Sequence, residues 1–381
     1  MFRTKTIGIL GGGQLGRMLI QSAIDFDLTI HILDPDKNAP CVKIAHEFTL
    51  GDFKDYETVL NFGRKCEIVT IEIENVSIEA LFQLEKEGIK VYPQPSVLSK
   101  IKNKRIQKQF YADNGIPTAP FELTENQSEI AQKAKSFPIV NKLGEGGYDG
   151  RGVQILKSET DLSKAFQEPS LLEELIDFEK ELAVIVVKSE NGELSTFPVV
   201  EMAFHPEANL VEYLFSPAKI DEALAIKASE LAKKVAKSFD IIGILAVEMF
   251  LTKSGEILVN EVAPRPHNSG HHTQRANFTS QFEQHLRAIC GLPLGNTDAI
   301  AAGAMVNILG AEDANGIAAY EGMEECLALE NVHPFLYGKK VVKPFRKMGH
   351  ATIIDHDFDK LIEKVNFVKN TLVAKAATQH N

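Results

Sequence analysis

Apolar and polar positions alternate along the chain in two different rhythms. Up to about residue 92, short apolar runs alternate with stretches of helical period: Ile7–Leu10, then a helix over Gln14–Phe26, then Leu28–Leu33 ending at Asp34. The pattern continues with a helix at Asp55–Gly63, a strand at Ile68–Ile73, a helix at Ser77–Gly88 and a strand at Ile89–Tyr92. Buried strands that alternate with helices are the mark of βαβ units and a parallel sheet. Pro93-Gln-Pro95 interrupts this order and is the best first boundary.

Beyond it the rhythm changes. Lys100–Asn114 reads as one basic amphipathic helix stopped by Gly115 and Pro117. Phe137–Leu143 and Val153–Leu156 read as strands on either side of a glycine-rich loop. Asn191-Gly192 predicts a hairpin between Glu181–Lys188 and Glu193–Val200. After a helix at Asp221–Phe239, Ser254-Gly255 predicts a second hairpin, Ile244–Thr252 with Glu256–Val262. A strand at Ala304–Leu309 and a helix from Asp357 to Val373 close the pattern. The fold class is therefore α/β at the start and α+β after it.

Composition narrows what this scaffold does. With 381 residues, two or three domains are expected. A net charge of −11 argues against nucleic acid or an anionic membrane as the main partner. Cys41, Cys66, Cys290 and Cys326 have no metal-binding spacing and read as free thiols of a reducing compartment. No apolar run reaches the roughly 18 residues of a membrane span, and no signal-peptide pattern is present, so a cytoplasmic location is expected.

Five constellations are candidates for chemistry. Gly11-Gly12-Gly13-Gln14-Leu15-Gly16 fits G-x-G-x-x-G after a strand, and Asp34 lies 18 residues beyond Gly16, as in dinucleotide-binding folds. The same glycines also serve to pack a helix on a strand, and nothing downstream offers a hydride-transfer partner. In the second hairpin, a two-residue turn would pair Lys253 with Glu256 and set Glu248 opposite Glu261, with Ala246, Phe250, Ile257 and Val259 as apolar neighbours. Facing carboxylates repel, and a Mg²⁺ ion between them removes the penalty, with Asn260 as a further oxygen. A register slipped by one would instead turn the glutamates to solvent. Gly144–Gly152 holds five glycines in nine residues together with Tyr148, Asp149 and Arg151, a loop suited to wrapping anions, with Lys142 and Lys104 placed to touch phosphate. Arg265, His267, Asn268, His271 and His272 follow the hairpin at once and suit an anion beside a metal-bound phosphate; zinc on the histidines is the weaker reading, because Pro266 and Gly270 make this a loop. The basic run Lys339 to His350 reads either as a solvated face or as a phosphate site.

In this order, Gly-Gly-Gln-Leu-Gly-Arg-Met (12–18), Gly-Gly-Tyr-Asp-Gly-Arg-Gly (146–152), Glu248, Asn260-Glu261, Ala-Pro-Arg-Pro-His-Asn-Ser-Gly-His (263–271) and Arg-Lys-Met-Gly-His (346–350) resemble the N5-carboxyaminoimidazole ribonucleotide synthetases, ATP-grasp enzymes of the bacterial purine pathway. The resemblance implies an ATP-grasp fold in three parts: a Rossmann-like pre-ATP-grasp domain (1–95), an ATP-grasp domain (96–300, with a small flexible subdomain near 115–180) and a C-terminal domain (301–381). It implies ATP and Mg²⁺ but neither biotin nor NAD, and a homodimer. The implied reaction phosphorylates bicarbonate to carboxyphosphate, and the carboxyl group or released CO₂ is captured by the exocyclic amine of 5-aminoimidazole ribonucleotide. It places Lys104 and Lys142 on ATP phosphates, Glu173, Glu174 and Leu175 at the adenine, Glu181 at the ribose, Asn260 beside the nucleotide, and Glu248 and Glu261 on the metal. Tyr148, Asp149 and Arg151 would cover the aminoimidazole ribonucleotide, Lys339 and Arg346 would take its phosphate, and Arg265, His267 and Asn268 would hold bicarbonate. Two departures stand out: Gly144-Glu145 where relatives carry basic residues, and Phe345 where they carry glycine. Competing readings are another ATP-grasp ligase (a formate-dependent glycinamide ribonucleotide transformylase or a biotin carboxylase), an NAD-dependent oxidoreductase, and an inactive regulatory protein on the same scaffold. The Tyr-Asp loop speaks against the first and the intact set Lys142, Glu248, Glu261 and Arg265 against the last.

Overall fold

The computed structural model describes residues 3–146, 152–204 and 211–377. Its first sheet is five-stranded and parallel, in the spatial order Glu47–Leu50, Thr29–Asp34, Thr6–Leu10, Ile68–Ile71, Lys90–Val91. The apolar runs read as strands are buried, and Met18, Leu19 and Ala23 of the helix Gln14–Ile24 pack into the same core. Glu47–Leu50 escapes the pattern because it is a partly exposed edge strand with no apolar run. Asp55 and Ser77 cap the next two helices through their side chains, which is why those helices start where polar residues precede apolar ones.

The basic stretch after Pro95 is two helices, not one. Pro95–Lys102 ends at Asn103, whose side chain accepts from the backbone N–H of Arg105 and Ile106 and so starts Lys104–Asp113. A strong N-cap residue inside a helical pattern outweighs the pattern. The break makes Lys104 the first residue of a helix.

A four-stranded antiparallel sheet follows, ordered Phe121–Thr124, Ser170–Glu174, Ile139–Leu143, Val153–Leu156. The large sheet has nine strands, among them Phe178–Lys188, Gly243–Thr252 and Ile257–Ala263. The hairpin at Asn191-Gly192 forms, but its return strand is interrupted: Leu194–Thr196 pairs first, and the chain resumes as Val200–Phe204 beside the same strand. The strand Ala302–Leu309 pairs with Val211–Ser216, so this sheet runs without a break past residue 300. Asp357 caps the last helix, Phe358–Thr371. Among the described residues no helix is long and apolar enough to cross a membrane.

Candidate active site

The hairpin that ends at Ala263 carries the site, and its register differs in detail from the simple count. Thr252 and Glu256, not Lys253 and Glu256, close the turn, through Thr252 N–H to Glu256 O at 2.9 Å. This one-residue shift pairs Leu251 with Ile257 and Met249 with Val259. A β-bulge then restores the count, and Glu248 stands opposite Glu261. Ile257 and Val259 lie in the core on the far side with Met249 and Leu251, so the apolar neighbour of Phe250 across the strands is Leu258. The extra residue is Asn260, and a bulge lets consecutive side chains address one face. Asn260 and Glu261 both meet lysines: Lys142 Nζ donates to Asn260 Oδ1 at 3.0 Å, and Lys104 pairs with Glu261.

The two carboxylates are electrostatically unequal. Lys104 holds the Glu261 carboxyl well below the usual range, against its burial. Burial pushes Glu248 up, and the nearby charges of Glu261 and Glu181 push it further. Glu181 is raised to about 7, by burial first and then by Glu261. Among the described residues no three His, Cys, Asp or Glu converge as a metal site of their own. Two facing carboxylates with an amide oxygen beside them fit Mg²⁺, which completes its shell with substrate oxygens and water.

Glu173, in the segment expected at the adenine, turns its side chain to two lysines. It is 3% exposed, with Oε1 at 2.9 Å from Lys108 Nζ and Oε2 at 2.7 Å from Lys142 Nζ. Burial alone would raise its carboxyl, but the two ammonium groups hold it down. Its neighbours Glu174 and Leu175 are exposed at the strand end. Phe178 stacks on Phe250 at 4.8 Å nearby in the sheet, offering an apolar wall. Lys108, buried in a helix read only as basic, is a residue the sequence reading missed. Its i, i+4 spacing from Lys104 on the helix Lys104–Asp113 was the available signal.

The run after the hairpin turns back over the carboxylates. Arg265 Nη2 lies 3.1 Å from Glu74 Oε1. His267 Nδ1 lies 3.7 Å from Glu248 and 2.9 Å from Ser269 Oγ, and it accepts the Ser269 N–H, which leaves the proton on Nε2. Burial, then Arg265 and Lys347, push His267 down to about 3, so it is neutral at physiological pH. Asn268 and Asn307 exchange reciprocal amide hydrogen bonds at 3.0 and 3.1 Å, and Asn307 also donates to Val211 O at 2.7 Å. His271 bonds Gln281 at 3.1 Å and its ring centroid lies 5.0 Å from that of His350. Lys339 donates to the Lys347 carbonyl at 2.7 Å, and the Lys347 charge acts on both Glu248 and His267. Arg346 donates to Val341 O at 2.6 Å at the surface. Phe345 adopts φ 56°, the left-handed conformation that its glycine counterpart takes without strain. Gly144 has no room for a side chain, since a Cβ would lie 2.9 Å from Pro169 O, and Glu145 accepts from the Asn103 amide. Tyr148, Asp149 and Arg151 lie outside the described residues.

The glycine motif of the first sheet is a different kind of site. Glu72 accepts from Gly13 N–H at 2.7 Å and Gly16 N–H at 2.6 Å, while Asp34 accepts from Gly12 N–H at 2.7 Å. The helix N-terminus that would face a dinucleotide phosphate already holds a carboxylate of the chain itself.

Comparisons with known proteins agree with this geometry. Residues 4–102 match the ribonucleotide synthetase preATP-grasp domain, 109–282 the ATP-grasp domain, and 303–364 the phosphoribosylaminoimidazole carboxylase C-terminal domain. An N5-carboxyaminoimidazole ribonucleotide synthase of Bacillus subtilis is 39% identical over 94% of this chain and 94% of its own. The crystal structure of the synthetase from Thermotoga maritima superposes with TM-score 0.92 at 41% identity, covering 98% of this chain and 100% of that one. A synthase from Aspergillus clavatus, solved with ADP and 5-aminoimidazole ribonucleotide, gives TM-score 0.88 at 32% identity over 97% of this chain and 100% of that one. The chain has the ATP-grasp fold and belongs to the N5-carboxyaminoimidazole ribonucleotide synthase family.

Proposed function

We propose that this chain carboxylates 5-aminoimidazole ribonucleotide at its exocyclic amine, at the expense of ATP, giving N5-carboxyaminoimidazole ribonucleotide, ADP and phosphate in purine biosynthesis. One observation carries the reading: Glu248 and Glu261 face each other between two phosphate-reaching lysines and the Arg265–Asn268 run. The reading includes bicarbonate as carbon source, a homodimer, a cytoplasmic location, and the three domains 1–95, 96–300 and 301–381.

Glu248 and Glu261 would hold Mg²⁺ with Asn260 beside them, and the ion when bound would neutralise charge on the phosphates. Lys104 and Lys142 bind ATP phosphates as point charges, with Lys142 kept in place by Glu173. Leu175, Phe178 and Phe250 offer the base an apolar surface, Glu174 borders it, and Glu181 takes the ribose hydroxyls. Arg265, the neutral His267 through Nε2–H, and Asn268 orient bicarbonate for attack of its oxygen on the γ-phosphorus, and ADP leaves. The aminoimidazole ribonucleotide, held by Tyr148, Arg151, Lys339 and Arg346, then attacks the carboxyphosphate carbon through its amine nitrogen. Phosphate departs, and Asp149 is the carboxylate assigned to the amine proton. Positioning and charge neutralisation supply the rate enhancement.

The test is ADP release by purified protein with Mg-ATP, omitting bicarbonate and aminoimidazole ribonucleotide in turn. Release that needs both supports the reading. Release indifferent to the ribonucleotide overturns it and points to another acceptor for the same ATP chemistry.

A further inference from the structure

Glu74 has no role in the reading above, yet it stands at its centre. It follows the strand Ile68–Ile71 of the first sheet, two residues after Glu72. Glu72 turns back into the glycine loop, whereas Glu74 reaches across to the ATP-grasp side and meets Arg265 Nη2 at 3.1 Å. Its charge also acts on Lys104. The two side chains are 30% and 24% exposed, so the pair is shielded but not sealed.

The remaining donors of Arg265 show what this contact achieves. Nη1 reaches only the carbonyl of Pro266, at 3.4 Å, and Nε is buried with no hydrogen-bond partner among the described residues. A buried N–H without an acceptor is unfavourable. A guanidinium has five donors in a rigid fork, and fixing one nitrogen fixes the directions of the others. We propose that Glu74 is a positioning residue: its ion pair with Nη2 fixes the plane and direction of the Arg265 guanidinium that meets the bicarbonate oxygens. The first sheet would thereby set the geometry of the carboxylation step, which the ATP-grasp domain alone does not fix. This inference rests on the assignment of Arg265 to bicarbonate.

The experiment varies bicarbonate at saturating Mg-ATP and aminoimidazole ribonucleotide, in the wild type, Glu74→Ala, Glu74→Gln, Arg265→Ala and the Glu74→Ala/Arg265→Ala double variant. Misplacing a group that aligns a reactant costs about tenfold or more. Glu74→Ala is therefore expected to raise the bicarbonate KM about tenfold, with a smaller change in the ATP KM and the melting temperature unchanged. Glu74→Gln keeps the shape and an oxygen beside Nη2 but not the charge, and recovers part of the loss. In the Arg265→Ala background, Glu74→Ala adds nothing. An unchanged bicarbonate KM in Glu74→Ala, with Arg265→Ala impaired, overturns the role of Glu74 alone. If Arg265→Ala also leaves that KM unchanged, the assignment of Arg265 falls and the inference with it. Equal loss in every parameter together with a lowered melting temperature shows a purely structural contact and likewise overturns it.

Discussion

The glycine loop of the first sheet and the hairpin at Glu248–Glu261 both bring carboxylates to a place where a ligand could bind, and they resolve the charge in opposite ways. At the glycine loop, Glu72 and Asp34 are satisfied by backbone N–H groups of Gly12, Gly13 and Gly16. At the hairpin, Lys104 pairs with Glu261, whereas burial and the charges of Glu261 and Glu181 raise Glu248 against the weaker pull of Lys104 and Lys347. The first site is complete as folded, and the second keeps facing carboxylates that the proposed Mg²⁺ would relieve. A motif in the sequence states which groups are present. Whether they await a ligand depends on what the rest of the fold has already placed there.

The largest effect therefore falls at the hairpin. Glu248→Gln or Glu261→Gln removes a proposed ligand of Mg²⁺ and is expected to lower turnover by about 10³-fold, or about 4 kcal/mol of transition-state stabilisation. Steady-state rates across a Mg²⁺ titration check it, and unchanged turnover would dissolve the contrast between the two sites. Next comes Glu173. Replacing it by Ala leaves the Lys108 and Lys142 ammonium groups without their shared partner, and breaking a buried pair costs about 3 kcal/mol of stability. Urea unfolding measures this. The double variant Glu173→Leu/Lys108→Met should recover a large part, because apolar packing replaces the charges.

Much of this arrangement was legible before the fold was known. Capping residues at Asp55, Ser77 and Asp357, with the spacing of apolar residues, gave helices within two or three residues of where they are. The opposition of Glu248 and Glu261 was legible only because two departures compensate: a three-residue turn moves the register by one, and the bulge at Asn260 moves it back. The bulge has a non-local cause. Val259 donates its N–H to Pro117 O at 2.8 Å and accepts from Thr118 Oγ1 at 2.6 Å, so the outer edge of this strand is engaged by a segment some 140 residues earlier. No local pattern encodes that. The same holds for Glu173, Glu74 and Asn307, whose partners lie in other parts of the chain.

Glu72 offers the next test, from the closed side of the comparison. Glu72→Ala removes the anion from the start of the helix Gln14–Ile24 and leaves the Gly13 and Gly16 N–H groups without their acceptor, at a cost of about 2 kcal/mol. Thermal melts should show the loss, and millimolar phosphate should restore part of it in the variant but not in the wild type. Absence of that rescue would mean the helix N-terminus is not an anion site held by the chain itself. NADH fluorescence on the wild type should show no binding, since Glu72 would have to leave first.

The smallest effect concerns Glu181, which shares the electrostatics of the open site and feels Lys142 less than burial and Glu261. Burial and Glu261 raise its carboxyl from the ordinary 4.5 to about 7. Between these values the folded chain binds a proton that the unfolded chain has released, so stability falls as pH rises through this window. Below about 4.5 both states are protonated and the cost vanishes; above about 7 it is fully present. Glu181→Gln keeps the shape and discards the charge. In the absence of nucleotide and Mg²⁺ it should melt higher than the wild type at pH 8, by an amount on the order of 1 kcal/mol, and the gap should close as pH falls toward 4.5. Saturating Mg²⁺ and ATP should shrink the gap at pH 8, because added positive charge among the carboxylates favours the ionised form. A gap independent of pH would mean that Glu181 acts through packing, and the charge repulsion at the site would then be that of Glu248 and Glu261 alone.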